Sequence, residues 1–298
     1  MNKILKILIL VLLLKTPYIF GQNLPIKVAN GDVSLRKLID TPMQQKLENV
    51  LNAKKKWKEL IDQKRMAVGL VDLSNVDNIR FARVNGNHMM YAASLPKIAV
   101  LLAAMDAIEK KELTETTEVK KDMKLMISKS NNQATTRMID RLGYQKIEDV
   151  LKSEKYNLYN EEYGGGLWVG KRYASGGGKT NREPLKNLSH AATVSQVCRF
   201  YYLLAQGKLV NEQRSKQMLN IMEDPALHHK FVSVLDKIAP NARLFRKSGS
   251  WRTFHSDSVL VWGSPDRRYI LVALIDDPNG EQIIRNLVIP IEKVLSNK

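Results

Sequence analysis

Apolar positions recur at helical spacing between residues 42 and 64, and that periodicity predicts a helix. Residues 66–73 and 79–84 change character, with apolar and β-branched residues dense on both sides of a polar turn at 75–78, which predicts two paired strands. Residues 96–110 are apolar on nearly every side (Ile98-Ala99-Val100-Leu101-Leu102-Ala103-Ala104-Met105), so this helix is expected at the centre of the molecule. Further helices are predicted over 119–127, 133–142, 147–151, 194–206 and 212–222. Strands follow at 244–248, 254–262 and 269–275, with a closing helix at 281–295.

One stretch has no period. Residues 163–187 carry Gly164-Gly165-Gly166 and Gly176-Gly177-Gly178, which predicts a long ordered loop or lid, with Trp168 and Tyr173 read as its aromatic anchors ahead of the alternative that they close over a ligand. Strands near both ends with helices between them predict a mixed α/β chain of the α+β type. One antiparallel sheet is built from the N- and C-terminal segments and flanked by helices, with an all-helical lobe inserted. The α/β part is expected over about 40–95 and 223–298 and the helical part over about 96–222, in a domain spanning 23–298.

Residues 1–22 stand apart. Lys3 and Lys6 precede an apolar run over residues 7–14, and small Gly21 follows, the pattern of a secretory signal peptide. The run is shorter than the roughly 20 residues a membrane-crossing helix needs. A periplasmic or secreted location follows as the expectation, and with no cysteine near residue 22 a lipid anchor is not expected. Removal of this segment takes three lysines (Lys3, Lys6, Lys15) and no acid from the formal charge of +17, leaving +14. That balance favours contact with an anionic cell envelope. The basic residues lie in short clusters near acids without interleaved aromatics, so nucleic acid is not an expected partner. Cys198 is the sole cysteine; it excludes an internal disulfide and reads as a buried thiol.

Three short motifs carry candidate chemistry. Ser94-Leu95-Pro96-Lys97 opens the central helix and puts an amine one turn from a hydroxyl, on one face. A serine hydroxyl is a weak nucleophile unless a base adjoins it. Ser130-Asn131-Asn132 opens a later helix, and Lys247-Ser248-Gly249 lies on a strand ahead of Ser250, where a small residue allows close approach to the backbone. Each also has a bland reading: Ser94 and Ser130 suit helix N-caps, and Lys247 suits a strand end.

In this order, and on these elements, the motifs resemble those of the class A serine β-lactamases and their penicillin-binding relatives. The resemblance implies that Ser94 is acylated, that Lys97 activates it and that Ser130 passes a proton to the leaving nitrogen. It further implies that Asn132 holds the substrate's side-chain amide, that Lys247 and Ser248 face its carboxylate, and that the Ser94 and Ser250 amides form the oxyanion hole. Asn131 replaces the family's usual aspartate at a supporting position. Arg182-Glu183-Pro184-Leu185 resembles the segment bearing the family's water-activating glutamate, so Glu183 is the expected deacylation base; its bland reading is a surface carboxylate paired with Arg182. Arg252 is expected to add positive charge for the substrate. The interval between Ser94 and Ser130 is shorter than usual in the family, which implies a trimmed cleft wall.

The expected function is hydrolysis of a cyclic amide through a Ser94 acyl-enzyme by a monomeric, cofactor-free enzyme. The alternatives are a D-alanyl peptidase acting on a peptidoglycan-like peptide, another amide or ester hydrolase, and a non-catalytic envelope-binding protein. Gly178-Lys179-Thr180 is not a phosphate loop, because position 173 is tyrosine and no strand precedes it. His88, His190, His228, His229 and His255 show no metal-ligand spacing.

Overall fold

The computed structural model describes residues 24–27, 33–174 and 177–296. The expected signal segment and the glycine at 176 lie outside them. The chain runs α1 (Thr41–Asn52), α2 (Lys55–Asp62), β1 (Met66–Asp72), β2 (Arg80–Val84), β3 (Met90–Tyr91), α3 (Lys97–Glu109), α4 (Thr117–Ser128) and α5 (Asn132–Lys152). Short strands β4 (Tyr159–Asn160), β5 (Gly165–Gly166), β6 (Trp168–Val169) and β7 (His190–Ala192) precede α6 (Val194–Ala205) and α7 (Glu212–Met222). It ends with α8 (Phe231–Ile238), β8 (Arg243–Trp251), β9 (Phe254–Trp262), β10 (Arg268–Asp276) and α9 (Gly280–Leu295).

Five strands form an antiparallel sheet in the order β2-β1-β10-β9-β8, so the two ends of the chain meet where β1 pairs with β10. Both faces are covered, which is why the strands read as nearly continuous apolar runs. Successive residues of β10 go to opposite sides. Ile270, Val272 and Leu274 join the core shared with α3 to α7, whereas Tyr269, Leu271, Ala273 and Ile275 join the core under α1, α2, α8 and α9. At Gly69 a side chain would meet Cys198 Sγ at 2.7 Å, so this glycine lets α6 lie directly on the sheet, and Cys198 is buried. No helix among the described residues is long and apolar enough to cross a membrane.

Several boundaries differ from the periodicity. The helix expected over 42–64 is two helices, because Lys54 is extended (φ −103°, ψ 111°) and turns the chain between α1 and α2. The two helices expected at 133–142 and 147–151 are one element bent at Gly143, whose φ of 75° and ψ of 157° only glycine adopts without strain. The first part of the glycine-rich stretch is packed rather than loop-like. A Cβ on Gly166 would sit 2.1 Å from the Leu158 carbonyl oxygen, and Trp168 Nε1 donates to the Asn181 carbonyl at 2.6 Å. β8 occupies one edge of the large sheet, and the segment after β3, held by the β3–β7 and β6–β7 pairings, crosses in front of it.

Candidate active site

Ser94 lies in the tight turn between β3 and α3. Leu95 N donates to Ala92 O at 3.0 Å and Lys97 N to Ser94 O at 3.3 Å, so the helix proper begins at Lys97. Ala93 takes φ of 49°, a left-handed conformation costing an alanine about 1 kcal/mol or more and persisting only where surroundings impose it. Here they do: the Ala92 amide is bonded to His190 O at 2.9 Å, and the Ala93 carbonyl accepts from Tyr173 Oη at 3.0 Å.

Lys97 is wholly buried, and its Nζ donates to Ser130 O and Asn132 Oδ1, both at 2.7 Å. Burial lowers its pKa to about 7, because a cation there is stripped of water. Among the described residues, no carboxylate lies in salt-bridge range of Lys97, Lys230 or Lys247 to restore it. An amine in this state is divided between neutral and charged forms near neutral pH, which suits a proton acceptor.

Ser130 takes a left-handed backbone, φ 53°, just ahead of α5. This conformation turns both of its oxygens toward amines: its carbonyl toward Lys97, and its Oγ toward Lys247 Nζ at 2.9 Å, with Lys97 Nζ 3.4 Å away. Asn131 is the N-cap of α5, its side chain accepting from Ala134 N at 2.8 Å, so it supports the turn without facing the amines. Asn132 Oδ1 is committed to Lys97, which leaves its amide nitrogen as the donor available at its exposed position.

β8 supplies the opposite wall. Lys247 is buried and held also by Ser248 O at 2.6 Å; burial first, then the nearby Lys97 and Arg246 charges, push its pKa well below the usual lysine value. Gly249 has its smallness explained by the protein itself rather than by an approaching ligand. An added Cβ would lie 2.5 Å from both Ser94 N and Ala92 O, so β8 runs against the nucleophile's turn. Ser250 is exposed next to it, and its hydroxyl accepts from Lys230 Nζ at 2.8 Å. Lys230 was not legible as a site residue. It is fully buried, donates also to Gly249 O and Ser256 O, and has its pKa lowered to about 8 by burial. Behind it, Arg246 and Asp257 form a buried bidentate ion pair at 2.7 and 2.9 Å. Nothing in the local pattern marked Lys230, which stands just before α8, and Arg246 and Asp257 showed only as charges within strand segments.

The glycine-rich stretch closes the remaining side. Tyr173, flanked by Arg172 bonded to Asp140 and by Ala174 bonded to Thr136, places its ring centroid 4.6 Å from Lys97 Nζ and 4.0 Å from the His190 ring. His190 Nε2 donates to the Lys171 carbonyl at 3.0 Å, and burial, ahead of the Lys97 charge, lowers its pKa to about 4, so it is neutral at physiological pH.

Two expected site residues are not brought to this cluster. Glu183 is buried, but its carboxylate accepts from Tyr159 Oη (2.5 Å), Leu185 N and Lys186 N (2.7 Å each). It caps the turn over residues 183–188, and none of these bonds joins it to Ser94, Lys97 or Ser130, so its surroundings give no support to a water-activating role. Arg252 lies at the tip of the β8–β9 hairpin, exposed, with its guanidinium over the Trp251 ring. Among the described residues no group of three or more potential metal ligands forms.

Comparison with known proteins agrees with this fold. The fold matches a β-lactamase from Sphaerobacter thermophilus DSM 20745 at 16% identity and a TM-score of 0.62, covering 86% of this chain and 96% of that one. A representative of class A β-lactamase from Bacteroides cellulosilyticus DSM 14838 matches at 17% identity and 0.63, covering 87% and 100%. PBP-A matches at 18% and 0.61, covering 86% and 94%, and one of its mutants is described as an acyl-enzyme complex with penicillin G. These identities speak to fold alone. No curated protein matches the sequence. The family model described as the beta-lactamase enzyme family matches residues 52–124 and 115–293. Since that match spans most of the chain, the protein belongs to the beta-lactamase enzyme family.

Proposed function

We propose that this protein opens a β-lactam ring by acylation of Ser94. The observation that carries the reading is the Ser130 hydroxyl, held by Lys247 at 2.9 Å and 3.4 Å from the buried Lys97 amine. In the proposed step, neutral Lys97 takes the Ser94 proton as Oγ bonds to the ring carbonyl carbon. The carbon–nitrogen bond then breaks, and Ser130 delivers its proton to the departing nitrogen while taking up the proton that Lys97 gained, which returns Lys97 to its neutral form. With its oxygen accepting from the amines, the Ser130 O–H is free to donate into the cleft. The Ser94 and Ser250 amides would stabilise the oxyanion, each donor contributing about 3 kcal/mol. Lys247 and Ser248 would face the substrate carboxylate and Asn132 its side-chain amide.

Hydrolytic release completes the reaction, with water replacing Ser94 on the acyl carbon. A second reading, a peptidase-like enzyme acting on a D-alanyl peptide, is favoured by one observation: among the described residues Lys97 has no carboxylate partner to help activate that water. Export through residues 1–22 would place either activity in the cell envelope.

The test is a chromogenic cephalosporin with intact-protein mass measured alongside. Ring opening and a Ser94 adduct are expected in the wild type, and both should vanish in Ser94→Ala. Undiminished ring opening in Ser94→Ala rejects the mechanism.

A further inference from the structure

We propose that Tyr173 shuts water out from the loop-side face of Lys97, so that the Ser94 acyl group, once formed, is held rather than rapidly released. The inference rests on the acylation reading above and concerns the second half of the same reaction.

Release requires a water molecule to add to the acyl carbon while the bond from that carbon to Ser94 Oγ breaks. The water gives one proton to a base, and Ser94 recovers a proton. The base must have a pKa near the working pH and must touch the water. Lys97 meets the first condition through burial. Geometry decides the second.

Two acceptors, Ser130 O and Asn132 Oδ1, occupy one side of Lys97 Nζ at 2.7 Å each. The Tyr173 ring covers another, its centroid 4.6 Å away. A water lodged between an amine and a ring face needs roughly 6 Å, a hydrogen bond of about 2.9 Å plus a van der Waals contact of about 3.5 Å. The gap is too narrow to hold one.

The ring is not free to swing aside. Its hydroxyl donates to Ala93 O at 3.0 Å, one residue from the nucleophile, and its face rests on His190. On either side in sequence, Arg172 Nε binds Asp140 at 2.7 Å and the Ala174 amide binds Thr136 Oγ1 at 2.9 Å, one turn apart on α5. Among the described residues no nearby acid substitutes for the blocked amine: Glu183 is occupied by Tyr159 and two backbone amides, and Asp257 by Arg246. His190, neutral, has Nε2 committed to Lys171 O. Acylation needs no water at this face, because there the proton comes from Ser94 itself, three residues before Lys97.

The experiment follows the mass of the whole protein after a brief pulse of benzylpenicillin and its removal. In the wild type, loss of the adduct should be at least ~100-fold slower than its formation, the size of a missing general base. Tyr173→Ala should shorten adduct lifetime by about ten-fold or more, read from the decay of adduct already formed, whatever the change in its rate of formation. Tyr173→Phe keeps the ring and should keep the long lifetime; thermal melting verifies that both variants are folded. A wild-type adduct lost as fast as it forms overturns the proposal, as does a folded Tyr173→Ala whose adduct lasts as long as wild type. A short lifetime in Tyr173→Phe also overturns it, by assigning the effect to the hydroxyl. Should Tyr173→Ala not fold, the wild-type ratio and Tyr173→Phe still decide. A wild type that never forms an adduct instead refutes the acylation reading itself, so the two failures are distinct.

Discussion

Gly249→Ala isolates the contact between β8 and the nucleophile's turn. Gly249 is extended within β8, so the new methyl carries no left-handed backbone penalty and acts through space alone. Its Cβ would lie 2.5 Å from Ser94 N, 2.5 Å from Ala92 O and 2.7 Å from Ser256 Oγ. Two of those atoms are backbone and cannot rotate away. Ordinary contact begins near 3.4 Å, so the strand and the turn must part by about 0.9 Å. Overpacking on this scale costs about 1–3 kcal/mol, and for a chain of this size each kcal/mol lowers the melting temperature by about 2–4 °C. The same displacement separates the Ser94 and Ser250 amides, and a misplacement of about 1 Å in a reacting constellation costs about 100-fold in rate. Quenched-flow mass spectrometry of adduct formation, beside a thermal melt, reads both effects. A Gly249→Ala protein that melts as wild type and acylates within about three-fold of it would refute the claim that β8 abuts Ser94.

Three further outcomes are expected. Only the neutral amine of Lys97 accepts a proton, and its pKa of about 7 means that the neutral fraction, and with it the acylation rate, rises about ten-fold from pH 6 to pH 8; a flat rate over that interval excludes Lys97 as the base. Glu183→Gln should lower stability by about 1–3 kcal/mol in urea denaturation, since it weakens charge-assisted bonds to Tyr159, Leu185 and Lys186, and should leave adduct lifetime unchanged; a stable variant that accumulates adduct would restore Glu183 as the water-activating base. Arg246→Met leaves Asp257 buried and unpaired and should cost about 3–5 kcal/mol, measured the same way, whereas a loss below about 1 kcal/mol would show that the pair is not dry.

What the sequence determined by itself was local. Apolar period placed the central helix within a residue of its observed start at Lys97, and the dense apolar strands at both ends foretold a sheet covered on two faces. Ser94 and Lys97 are three residues apart, so the turn that leads into α3 was enough to keep them in one local segment. The break expected between 142 and 147 is a bend at Gly143, because whether the chain stops or bends there depends on what each half packs against. Arg182-Glu183-Pro184-Leu185 can lie on any loop, and only the folded structure shows the Glu183 carboxylate capping a turn with Tyr159, Leu185 and Lys186 as partners.

The meeting of Lys97, Ser130, Tyr173, Lys230 and Lys247 was decided by tertiary structure alone. Periodicity reports interactions within a few residues, whereas Ser130 reaches Lys247 across 117 positions and Tyr173 reaches Ala93 across 80. The lowered pKa of Lys97 has the same origin: burial by distant segments removes the water that would keep a lysine charged, and no local pattern records that loss.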